Sequence, residues 1–117
     1  MCSSDDADLV AVFTTVATDE QASVLADLAI ARRLAACVQA EPIRSTYRWQ
    51  GRIVEETEVR LVFKTTKAMY QALEQLLIEA HPYELPAVFA LRVTSASAEF
   101  MKWVARETRA PSDPSGA

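Results

Sequence analysis

Residues 43–66 read IRSTYRWQGRIVEETEVRLVFKTT, and the architecture turns on how this stretch is folded. Side chains alternate in character on both sides of Gln50-Gly51. Before that pair, Ile43, Ser45, Tyr47 and Trp49 share one face, with Arg44, Thr46, Arg48 and Gln50 on the other. After it, Val59, Leu61 and Phe63 face one way, while Glu58, Arg60, Val62 and Lys64 face the other. Gly51 supplies a positive φ at little cost, so the pair predicts a tight turn between antiparallel strands. The first arm begins near Cys37, and Pro42, with no amide to donate, marks a bend or an edge position. Each arm runs for about twelve residues, or roughly 40 Å at strand rise, which is longer than strands usually are.

Working outward, Leu9–Thr15 is a short apolar, β-branched run and predicts a buried first strand. Thr18-Asp19-Glu20-Gln21 has capping-box spacing and predicts a helix to about Ala36, with Val24, Leu28, Ala31 and Ala35 as its strongest apolar stripe. Thr66 is placed to cap a second helix over 67–80, with Tyr70, Leu73, Leu77 and Ala80 on one face and Pro82 ending it. The segment His81-Pro82-Tyr83-Glu84-Leu85-Pro86 is a connector stiffened by two prolines. Residues 87–94 read as a fourth strand, with Phe89, Leu91 and Val93 on one side. Ser97 is placed to cap a last helix to about Thr108, carrying Phe100, Trp103 and Val104 inward.

The order β-α-β-β-α-β followed by a helix predicts an α+β, ferredoxin-like sandwich with an extended central hairpin. Four antiparallel strands are covered on one face by two helices. The domain spans 9–110, with an acidic tail over 1–8 and a flexible tail over 111–117. A first helix of about eighteen residues covers only about 27 Å, so part of the hairpin projects beyond its helices. Tyr47 and Trp49 then lie on an aromatic ribbon without a cover, which predicts self-association.

Composition narrows the function classes. The 117 residues are 50% hydrophobic and 24% charged, the balance of a folded soluble domain. Net charge is -4, and without the acidic tail residues the two signs balance, so there is no basic field for nucleic acid and no lysine cluster for an acidic membrane. No apolar run reaches bilayer length, and a cytoplasmic location is expected, with Cys2 and Cys37 reduced. A lone histidine and two distant cysteines leave no multi-ligand metal site within one chain. Cys37 offers a soft thiolate suited to copper and His81 an imidazole suited to copper or zinc, while the plainer readings are a small core hydrophobe and a connector residue.

Four stretches together resemble the CutA divalent-cation-tolerance family: Arg33–Val38, Ser45–Gly51, Glu58–Thr66 and, most specifically, His81–Pro86. The resemblance covers about residues 9–108. It departs from the family pattern where Ile43 follows Pro42 and at Ala96, positions where members often carry glycine. It implies a tight homotrimer of ferredoxin-like subunits, similar in shape to the PII nitrogen-signalling proteins, and a link to tolerance of divalent cations, copper above all.

Read with the resemblance, Cys37 and His81 are the candidate metal ligands for Cu2+ or another divalent cation. Lys64, Tyr83 and Glu84 are the candidate ligand-binding residues, with Glu58 beside them. The alternative for Glu58 is a cross-strand ion pair with Lys64. Three functions stay open: a homotrimer that binds or responds to metal, a PII-like module taking an anionic ligand on Lys64 with Arg48 or Arg60, and an enzyme. No nucleophile–base pairing supports the enzyme, and the expectation is that the protein is not one.

Overall fold

Two long strands, β2 (Cys37–Trp49) and β3 (Arg52–Thr66), form the hairpin that dominates the computed structural model, which describes residues 8–109. They pair antiparallel from Cys37–Lys64 to Trp49–Arg52. Gln50 (φ 51°) and Gly51 (φ 77°) make the two-residue turn, whose left-handed backbone matches the twist of the ribbon. β1 (Leu9–Val16) pairs antiparallel with residues 59–66 of β3. On its other side it takes β4 (Phe89–Arg92), giving the sheet order β2-β3-β1-β4. This is the ferredoxin-like α+β arrangement expected from the sequence. Tail residues 1–7 and 110–117, Cys2 included, lie outside the described residues.

Helices α1 (Asp19–Ala31) and α2 (Tyr70–Ala80) cover one face of the sheet. Val12 and Val16 of β1 meet Leu61 and Phe63 of β3, with Leu25 and Ala29 of α1 and Leu73 and Leu77 of α2 above them. Each of the valine, leucine and phenylalanine side chains, removed from water, contributes about 1.5–3 kcal/mol before entropy is counted. The buried face of α1 is Ala22, Leu25 and Ala29, and Val24 points to solvent. The expected stripe through Val24 is thus corrected: small alanines let the helix sit close on the sheet.

Helix α1 also ends sooner than Ala36. The amide of Leu34 reaches the carbonyl of Ala29 (2.9 Å) and that of Arg33 reaches Ile30 (3.0 Å), a Schellman closure with Arg33 left-handed at φ 58°. At its start, Thr18 Oγ1 accepts from the Gln21 amide, and the Gln21 side chain in return accepts from the Ala17 amide. Two other boundaries shift. A 3-10 turn (Lys67–Met69) precedes α2, and the Thr66 side chain makes no capping bond. β4 is half the expected length, because only Val10–Phe13 of β1 face it.

The last helix, α3 (Ala98–Glu107), begins at Ser97, whose hydroxyl accepts from the Phe100 amide. It lies on the opposite face of the sheet from α1 and α2. Val104 is fully buried there, apart from the main core, as is Leu9, whose side chain alternates away from Val10 and Val12. One end of the second face is thereby covered. The other end is not, because β1 stops at Val16 opposite Val59, and residues 52–58 run on without it. That overhang is about 24 Å of two-stranded ribbon.

Candidate functional site

At the base of the overhang, the connector after α2 packs beside β3 where β1 has ended. Pro82 follows His81, whose backbone is extended, and the chain turns across the end of the sheet. His81 is buried and both ring nitrogens are occupied. The Tyr83 amide donates to Nδ1 (3.1 Å), so the proton of the neutral ring sits on Nε2 and is given to Thr14 Oγ1 (3.0 Å). Burial holds the His81 pKa below its usual value, against a smaller upward pull from the Thr15 backbone and Glu58.

The Tyr83 hydroxyl donates to Glu58 Oε2 at 2.5 Å. Glu58 is only 6% exposed, on the face of β3 opposite to Val59 and Leu61. Across the ribbon, the Tyr47 hydroxyl donates to Glu56 Oε1 at 2.7 Å. Both phenols are held in the protonated, donating form. The bond to Glu56 pushes the Tyr47 pKa up to about 12, and burial followed by Glu58 raises that of Tyr83. Between these two pairs lies a cleft of about 930 Å³. Glu56, Glu58 and Glu84 line it together with the rings of Tyr47, Trp49 and Tyr83, and Arg48 brings the one guanidinium. Among the described residues none of the three carboxylates is in a salt bridge.

The structure divides the residues expected from the sequence into two groups. Tyr83 and Glu84 line the cleft, and His81 sits behind them, its ring edge-on to Tyr83 (4.9 Å between centroids). Lys64 and Cys37 lie elsewhere. Lys64 is six positions along β3 from Glu58, roughly 20 Å, and donates to Gln39 Oε1 (2.8 Å) with its ammonium 6.0 Å from the Phe100 ring centre. The alternative reading, a Glu58–Lys64 ion pair, does not hold, because both residues lie on β3.

Cys37, half-buried and unpaired, is the cross-strand neighbour of Lys64. Thr14, which holds His81, stands level with Leu61 and faces the helices, whereas Cys37 faces the other way. Cys37 and His81 therefore do not meet within one chain. Among the described residues no three of His, Cys, Asp and Glu are gathered as a metal site, so these residues do not by themselves form a closed metal centre.

Glu56 is the cleft residue that the sequence reading missed. Its signal was present: it shares the face of Glu58 by strand alternation and stands opposite Ser45, next to Tyr47 on the partner strand. The apolar alternation that marks this strand in the sequence begins at Val59 and so stops short of it.

An antiparallel ferredoxin-like sheet with an over-long hairpin and an acidic, aromatic cleft at its base defines a narrow structural class. The profile of the CutA1 divalent ion tolerance protein family matches residues 10–107. A divalent-cation tolerance protein CutA of Thermotoga maritima is 38% identical over 96 residues, 82% of this chain and 95% of that protein. Among solved structures, CutA of Synechococcus elongatus superposes with a TM-score of 0.84 at 42% identity, covering 90% of this chain and 94% of the other. CutA of Xylella fastidiosa gives 0.85 at 34% identity, covering 87% and 99%. The chain belongs to the CutA1 divalent ion tolerance family. No helix among the described residues is long and apolar enough to cross a membrane.

Proposed function

We propose that this protein serves divalent-cation tolerance as a non-enzymatic assembly of three copies, meeting cations weakly at the cleft beneath the hairpin. The observation that carries the reading is the overhang. Tyr47, Trp49 and Ile53 are 39%, 37% and 69% exposed on a ribbon that projects past its own sheet. A bare two-stranded ribbon is marginal in water, and an uncovered apolar strand invites pairing. A second copy facing the rings adds the opposite wall of the cleft over Tyr47 and Trp49, and Ile53, on the other face beside Arg48, is left to the third. Reduced Cys37 suits the cytoplasm, the compartment assigned in this reading.

Cation contact in this reading is electrostatic, through Glu56, Glu58 and Glu84. Direct ligation by His81 requires the Tyr83 amide to give up Nδ1, and Cys37 requires ligands from another chain. Titration calorimetry with Cu2+ decides between them. Heat that weakens in Glu56→Gln and Glu84→Gln and persists in Cys37→Ser supports the cleft. Heat that follows Cys37 or His81→Ala, or is unchanged in the glutamine variants, overturns it.

A second reading, a PII-like small-molecule module, is favoured by one observation: the cleft is of organic-ligand size, and three aromatic rings wall it.

A further inference from the structure

We propose that the cleft binds an aliphatic organic cation of the diamine or polyamine class, its ammonium groups on Glu56, Glu58 and Glu84 and its methylene chain along Tyr47 and Trp49. This rests on the small-molecule reading of the cleft and reverses the sign of ligand that the basic residues suggest in the sequence. Lys64 is roughly 20 Å away along β3. Arg60 is paired with Glu41, leaving Arg48 alone against three carboxylates. An anion entering here meets net negative charge.

Size separates the candidates further. A bare metal ion fills a small part of about 930 Å³ and needs converging ligands, and the carboxylates lining the cleft are not drawn together into a group of three that could hold one. Organic ligands occupy clefts of roughly 300–1,000 Å³ with mostly apolar walls and a few placed polar groups. The walls here include Tyr47, Trp49, Tyr83 and Leu85. Aromatic faces attract an ammonium through the ring quadrupole and pack against methylene groups, interactions that a hydrated metal ion does not use.

The carboxylates are also pre-aimed. Glu56 and Glu58 each give one oxygen to a tyrosine hydroxyl, Tyr47 for the first and Tyr83 for the second. The opposite oxygen of each is left for a ligand, on a side chain that no longer needs ordering.

The test uses the intact protein in a Trp103→Phe background, which leaves Trp49 as the only indole. Spermidine is titrated at fixed ionic strength while Trp49 emission is followed, with Cu2+ and an anionic dicarboxylate, 2-oxoglutarate, as parallel probes. Saturable binding of spermidine is expected, weakened about two- to fivefold by Glu56→Gln and by Glu84→Gln. Asp27→Asn, on the solvent side of α1, is expected to leave it unchanged. Equal weakening by Asp27→Asn marks delocalised charge attraction and overturns the proposal. Saturable Cu2+ or 2-oxoglutarate without spermidine binding overturns the proposal and leaves the cleft as a ligand site. No response to any probe removes both.

Discussion

Replacing Tyr83 by Phe deletes a single oxygen, and the consequence is calculable from the cleft. The lost bond is the one to Glu58 Oε2 at 2.5 Å, and Glu58, at 6% exposure, has little water with which to replace it. Hydrogen bonds to charged groups contribute about 1.5–3 kcal/mol, and Tyr83 is itself only half-buried, so the lower end, about 1.5 kcal/mol, applies. For a domain of this size that corresponds to a drop in Tm of about 6 °C. The proper assay is a double-mutant cycle with Glu58→Gln, by urea unfolding at one fixed protein concentration, because self-association makes apparent stability concentration-dependent. A coupling of about 1 kcal/mol is expected between the two positions. Additive variants, or Tyr83→Phe within about 0.5 kcal/mol of wild type, refute the idea that the connector is fastened to β3 through this bond.

Three further outcomes follow from the same geometry. His81 is buried neutral with its pKa below 6.5, so the unfolded chain takes up a proton near pH 6.5 that the folded one refuses. Stability is therefore level above about pH 6.5 and falls as pH drops through the window below it, a fall that His81→Gln flattens; an identical acid limb in both proteins contradicts this. Leu73→Ala empties a fully buried position between α2 and the sheet and costs about 2–5 kcal/mol by denaturant unfolding, whereas a loss below about 1 kcal/mol means that α2 is not packed as described. Gly51→Ala meets no neighbouring atom but must hold φ +77°, so it costs about 1 kcal/mol through backbone strain alone; no loss implies a different turn.

How far the sequence reached depends on which physical signal each element carries. The hairpin was legible because side chains alternate over Ile43–Trp49 and, Val62 apart, over Val59–Lys64, and the Gln50-Gly51 turn sits between them with both residues at positive φ. Helix α1 was legible at its start, where Thr18 and Gln21 cap it, and illegible at its end, where Arg33 takes the left-handed position that glycine usually marks. Its buried face was misassigned because α1 is apolar on most sides, and only the tertiary fit shows that Ala22 and Ala29 approach the sheet while Val24 and Ile30 stay outside.

The placement of α3 on the second face had no sequence signal, since Val104 reads equally well against either side of a sheet. The candidate site was half legible. Tyr83 and Glu84 were found through the connector motif, but motif residues adjacent in the family pattern, such as Lys64, are separated by the length of the strand that carries them. Cys37 and His81 were grouped by ligand chemistry and the family resemblance, neither of which carries position, and the sheet sets them on different faces.

The account stands on the projecting hairpin being covered by other copies of the chain, and sedimentation equilibrium of the full protein at micromolar concentration measures that directly. A single species of about three times the 12.9 kDa chain mass is the predicted result. A homogeneous 12.9 kDa species, with Tyr47 and Trp49 still open to solvent, contradicts it.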